Sequence, residues 1–87
     1  MYAIVVYDVG EKRVGKMLKL CRKYLNWIQN SVFEGDITEV KLHEFKIKAS
    51  EIMHNDEDSL IIFKSRNEKW LDKEIIGKER SSLDKFL

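Results

Sequence analysis

Cysteine is nearly absent from this 87-residue sequence: Cys21 stands alone, which excludes an internal disulfide and a cysteine zinc cage and fits a reducing, cytoplasmic setting. Glycine is scarce too, at four residues, and none belongs to a glycine-rich phosphate loop or a nucleophile elbow. The two histidines, His43 and His54, are too far apart to form a metal pair and have no cysteine or third histidine to join them, so both read as surface residues. No apolar run is long enough for a membrane span. Met1 leads directly into the strand-like run Tyr2 to Tyr7, without the basic flank and apolar stretch of a signal peptide. A strong charge of one sign is also missing: the net charge of +1 by itself favours neither a nucleic-acid partner nor any other.

The local charge pattern says more than the total. From Glu11 to Tyr24 six basic residues (Lys12, Arg13, Lys16, Lys19, Arg22, Lys23) face Glu11 alone, whereas from Glu34 to Asp58 eight carboxylates face Lys41, Lys46 and Lys48. A basic side and an acidic side are expected. The apolar fraction of 44% is that of an ordinary globular chain. The length allows one domain, residues 1–87, whose modest core would gain from docking against a second subunit.

The β-branched and aromatic run Tyr2-Ala3-Ile4-Val5-Val6-Tyr7 predicts a buried strand ended by Asp8. Val14, Met17, Leu18, Cys21 and Leu25 follow helical spacing and predict a first amphipathic helix with its basic residues on the other faces. Asn26 to Ile37 is strand-like again, and Asn30-Ser31 marks either a bend in one strand or a tight reversal between two. Thr38 is a suitable N-cap for a second helix with the stripe Leu42, Phe45, Ala49, Ile52 and Met53. After the polar stretch His54 to Asp58, Ser59-Leu60-Ile61-Ile62-Phe63 predicts another strand. Alternating helices and strands, with a hairpin in the middle, indicate an α+β fold: a ferredoxin-like β-α-β-β-α-β sandwich, two helices on one face of an antiparallel sheet. Tyr2, Ile4, Val6, Ile28, Ile61 and Phe63 leave few polar residues for the other face, so a homodimer packed sheet to sheet is the simplest cover. Residues 68–87 form a charged tail with apolar positions at Trp70, Leu71, Ile75, Ile76, Leu83, Phe86 and Leu87. Around Glu74 to Ile76 it is expected to add an edge strand, to the partner's sheet if a partner is present.

Asp8, at the carboxyl end of a rigid strand beside a glycine-containing loop, is placed to be a ligand for magnesium, which takes hard oxygen donors and often needs only one or two protein carboxylates. Pairing about a two-fold axis near that strand end would bring two copies together. A strand-end aspartate also serves as a turn-former or helix cap. The cations on the first helix suit phosphate, with Arg13 and Arg22 capable of bidentate contacts, or simply make a solvated helix face. Glu34 offers a second carboxylate, and Phe33 either stacks a base or fills the core.

Three stretches, Tyr2-Ala3-Ile4-Val5-Val6-Tyr7-Asp8-Val9, Ile28-Gln29-Asn30-Ser31-Val32-Phe33-Glu34-Gly35-Asp36-Ile37 and Asp58-Ser59-Leu60-Ile61-Ile62-Phe63, resemble in order and spacing the CRISPR-associated protein 2 family, with Ser31 to Gly35 the most specific part. The resemblance implies a ferredoxin-like homodimer in which the two Asp8 carboxylates face each other and hold a magnesium ion. It implies a catalytic and metal-ligating role for Asp8, a phosphate contact at Arg13 on a nucleic-acid-binding face with Lys12, Lys16 and Arg22, and an interface patch at Ser31 and Phe33. It also implies metal-dependent endonuclease activity on single-stranded RNA or double-stranded DNA. The family further forms the central dimer of the spacer-integration complex, in partnership with the integrase CRISPR-associated protein 1. Where some members carry a further arginine before the first helix this sequence has Glu11 and Lys12, and Asn30 replaces a common aromatic. A non-catalytic DNA-binding scaffold in that complex and a toxin-like ribonuclease of related fold are the alternative readings.

Overall fold

The apolar run that opens the chain becomes β1 (Tyr2–Asp8), and the computed structural model places it inside a sheet of order β2-β3-β1-β4. Residues 1–80 are described, except for the side chain of Trp70. The other elements are α1 (Glu11–Tyr24), β2 (Asn26–Gln29), β3 (Val32–Asp36), α2 (Glu39–Ile52) and β4 (Ser59–Ser65), followed by a 3-10 turn at Glu68–Trp70. All neighbouring strands are antiparallel, with Val5 opposite Phe33 on one side and Ile62 on the other. This is the ferredoxin-like order anticipated from the sequence, and both helices lie on one face of the sheet.

Successive side chains on a strand point to opposite faces. On β1 this alternation sends Ala3, Val5 and Tyr7 under the helices, where the first two are wholly excluded from solvent. Phe33 from β3, Met17 and Cys21 from α1, and Leu42, Phe45 and Ala49 from α2 complete that core. Tyr7 stacks on Phe33 with centroids 6.3 Å apart, and Tyr24 meets Phe45 edge-on at 5.6 Å. The apolar stripe of α1 is rotated slightly from its expected setting: Leu20 is buried with Met17 and Cys21, whereas Val14 is 42% exposed. The helix begins at Glu11, so Val14 falls in its first turn, while the buried residues Met17, Leu20 and Cys21 lie further along it.

Asn26 to Ile37 is two strands, not one bent strand. Asn30 takes φ 44°, in the left-handed region that asparagine tolerates, and closes a tight hairpin. Trp27 Nε1 donates to the Asn30 carbonyl at 3.0 Å and braces that turn. Thr38 caps α2 as its residue type predicted, its Oγ1 accepting from the Lys41 N–H at 3.1 Å.

The second face of the sheet carries Ile4, Val6, Ile28, Val32, Ile61 and Phe63. Ile61 and Phe63 are 52% and 55% exposed. After the 3-10 turn the tail crosses part of this face without forming a strand within the chain: Lys73, Glu74, Ile75 and Ile76 line a shallow cleft with Ile4, Ile28 and Val32. Lys73 is ion-paired to Glu34, whose other oxygen accepts from the Tyr2 hydroxyl. The expected strand at Glu74 to Ile76 therefore has no mate in its own sheet, and its pairing with a partner's sheet concerns a second copy. Leu83, Phe86 and Leu87 lie outside the described residues.

Candidate active site

Asp8 is the last residue of β1 and stands opposite Ser59, the first of β4. It shares strand parity with Ile4 and Val6, so its exposed carboxylate sits at one end of the open sheet face. No side chain or backbone group among the described residues is bonded to it. Glu34, the other carboxylate considered for this site, is opposite Ile4. Four residues along a strand amount to roughly 13 Å, and Glu34 is held by Tyr2 and Lys73. The two carboxylates do not form one site. Burial, and then the Glu34 hydrogen bond, push the Tyr2 phenol well above its ordinary value.

Beside Asp8 the structure builds an ion-pair cluster that the sequence did not announce. The Asp58 side chain is fully buried, and its two oxygens accept from Arg13 Nε at 2.6 Å, Arg13 Nη2 at 3.0 Å, Gly10 N at 2.8 Å and His54 N at 2.9 Å. Arg13 Nη2 also donates to Glu57 at 2.8 Å. The Arg13 hydrogen bond, seconded by the two backbone donors, outweighs burial and holds the Asp58 carboxyl far below the usual carboxylate range. The same bond raises Arg13 in turn. Gly10 makes room: a Cβ there would collide with Arg13 Nη2 and lie 3.1 Å from Cζ. The sequence showed Asp58 only as an acid at the head of a family-like strand, because Gly10 and Arg13, the partners that fix its role, are 48 and 45 positions away.

The residues expected to meet phosphate are thus divided. Lys12, Lys16 and Arg22 are exposed on α1, but Arg13 keeps only 13% of its side-chain exposure and is engaged by Asp58 and Glu57. Ser31 is half-buried, and its carbonyl accepts from the Tyr7 N–H at 3.2 Å. Phe33, placed by the resemblance in an interface patch, is 0% exposed and occupies the helix-covered core, because the strand register turns it away from the open face. Cys21 is buried, and burial pushes its thiol up to about 12. No three carboxylate, histidine or cysteine groups among the described residues converge on a metal position. Asp8 supplies one hard oxygen donor of the kind magnesium takes. One carboxylate completed by waters and phosphate oxygens is within what magnesium accepts, and the Asp8 of a second copy would add another hard donor.

An α+β ferredoxin-like domain with a solvent-facing aspartate at the end of an inner strand is the class of protein that this geometry defines. The family model described as CRISPR associated protein Cas2 matches residues 1–73. A CRISPR-associated endoribonuclease Cas2 of Fusobacterium nucleatum is 45% identical, covering 100% of this chain and 87% of that protein. One of Dictyoglomus turgidum is 44% identical over 100% of both chains. Among solved structures, a crystal structure of a Cas2 superposes with TM-score 0.85 at 40% identity, covering 93% of this chain and 91% of that one. Streptococcus pyogenes Cas2 at pH 6.5 gives TM-score 0.79 at 29% identity over 88% and 100% of the two chains. The chain belongs to the Cas2 family. Among the described residues no helix is long and apolar enough to cross a membrane.

Proposed function

We propose that this protein is a metal-dependent endonuclease of CRISPR adaptation that acts as a homodimer, with the Asp8 carboxylates of two copies at one shared site. The observation that carries this reading is the position of Asp8, exposed and with no partner for its carboxylate among the described residues, at the rim of an apolar sheet face on which Ile61 and Phe63 are half-exposed. Covering Ile61 and Phe63 would contribute on the order of 1 kcal/mol each from the exposure that remains. A second sheet laid on this face about a two-fold axis near Asp8 would bring the two strand ends together. Relatives across the whole chain length are named endoribonucleases, which favours RNA cleavage.

When bound, a divalent ion would supply charge neutralisation at the scissile phosphate and a more acidic water. Within the chain, Asp8 holds its carboxylate at the end of a rigid strand, and Lys12 and Lys16 offer cations to flanking phosphates as point charges. Double-stranded DNA is the alternative substrate. The test is cleavage of labelled single-stranded RNA and double-stranded DNA by wild type and Asp8→Ala, with magnesium and with chelator. Metal-dependent cleavage lost in Asp8→Ala is expected, and cleavage that survives the substitution would remove Asp8 from catalysis.

The exposed cations of α1 favour a second reading, a scaffold that tracks a DNA backbone beside the integrase CRISPR-associated protein 1. It predicts salt-sensitive duplex binding that is indifferent to sequence and to Asp8→Ala. A toxin-like ribonuclease would cleave RNA without engaging that integrase.

A further inference from the structure

Two chain segments distant in sequence meet beside Asp8, and one buried carboxylate joins them. Asp58 immediately precedes Ser59, the cross-strand neighbour of Asp8. Its oxygens hold Gly10 N, two residues beyond Asp8, and the Arg13 guanidinium in the first turn of α1. They also hold His54 N at the start of the loop leading to β4. The segment that leaves Asp8 is therefore tied to the rest of the domain from both sides. Gly10 lacks the Cβ that would displace the guanidinium from this arrangement.

We infer that Asp58 is a positioning residue for the cleavage site: its carboxylate fixes the loop between β1 and α1 and thereby sets the direction in which Asp8 presents its oxygens. The inference rests on the nuclease reading above and extends it to a residue that touches neither substrate nor metal. Four hydrogen bonds on one side chain join the loop after β1, the first turn of α1 and the loop before β4 at a single point. A buried carboxylate acts as a rigid reference point because every movement of the loop would leave charged or polar groups unpaired. An asparagine at the same position keeps the shape and one acceptor oxygen, but turns an N–H2 toward N–H donors and leaves Arg13 without its counter-charge.

The test compares wild type, Asp58→Asn, Gly10→Ala and Leu42→Ala, all assayed well below their melting temperatures. Leu42 lies in the core, 1% exposed, and its truncation serves as a control for lost stability without a change at the site. The expected result is a fall in kcat of about 10- to 100-fold for Asp58→Asn with KM within about twofold, since small misplacements of reacting groups have effects of that order. Gly10→Ala, which leaves Asp58 in place and pushes Arg13 aside, should lose several-fold, and Leu42→Ala should keep its kcat. Amide hydrogen exchange gives a readout independent of activity. In Asp58→Asn the Gly10 and His54 amides should exchange faster by a larger factor than Val5 in the core of β1.

Exchange that rises equally at all three amides, or a folded Asp58→Asn with wild-type kcat, would overturn the inference while leaving the nuclease reading intact. If Asp58→Asn does not fold, Gly10→Ala decides by the same kcat and Val5-referenced exchange criteria. A wild type that cleaves neither RNA nor DNA would overturn the nuclease reading, and this inference with it.

Discussion

Along β1, Ala3, Val5 and Tyr7 point beneath two helices, while Ile4, Val6 and Asp8 point to a face that the described part of the tail crosses only in part. Phe33 on the covered face is 0% exposed, and Phe63 on the open face is 55% exposed. The residue type is the same, and so is the sheet. The covered face is a finished core, in which tight packing makes each side chain matter. The open face is apolar and, among the described residues, half-exposed at Ile61 and Phe63, and the candidate catalytic carboxylate lies at its rim. The two sides of the same strands thus differ in kind: one is packed into the core of the domain, and the other is the face that the proposed dimer would cover.

The comparison breaks most sharply at Phe33 and Phe63. Phe33→Ala should destabilise the domain by about 3–5 kcal/mol, enough to unfold much of it, as read by chemical denaturation. Phe63→Glu should leave the stability of the isolated chain within about 0.5 kcal/mol, yet weaken self-association by roughly 100-fold in sedimentation, because it places two carboxylates in an apolar interface. Equal effects from the two substitutions would mean that the faces are not distinct.

A smaller effect concerns pH. Asp58 has a folded-state value depressed below its unfolded one. Its contribution is complete above the ordinary carboxylate value near pH 4 and is withdrawn progressively as pH falls below it. The melting temperature of wild type should therefore exceed that of Asp58→Asn at pH 7, and the gap should narrow below about pH 4. A gap that stays constant across that range would mean that the charge of Asp58 contributes nothing. The smallest expected effect is at the tail. Lys73→Ala removes a partly exposed ion pair with Glu34 and should cost at most about 1 kcal/mol, measurable as a slight fall in denaturation midpoint.

Much of the fold was legible because period and residue type settle it locally. The β-branched run at Tyr2 to Tyr7, the Thr38 cap and the stripe Leu42, Phe45 and Ala49 each specify their element from neighbours in sequence. The exposure of Asp8 at a strand end was legible for the same reason. The hairpin was not settled, since Asn30-Ser31 suits a bend as well as a reversal, and only the left-handed φ of Asn30 separates the two. Val14 and Leu20 exchanged roles because a helical stripe fixes a face only to within one residue's rotation, and the contact with the sheet decides which edge is covered.

The sequence by itself determined the element order, the two-sided apolar content of β1 and the basic character of α1, because these depend on spacing and composition along the chain. Only the tertiary structure decided that Arg13 meets Asp58, that Glu34 is held by Tyr2 and Lys73 away from Asp8, and that Phe33 belongs to the core. Hydrogen bonds and ion pairs act over about 3 Å, whereas the residues they join here are separated by 32 to 48 positions in the chain. Strand register and loop closure alone bring such groups within reach.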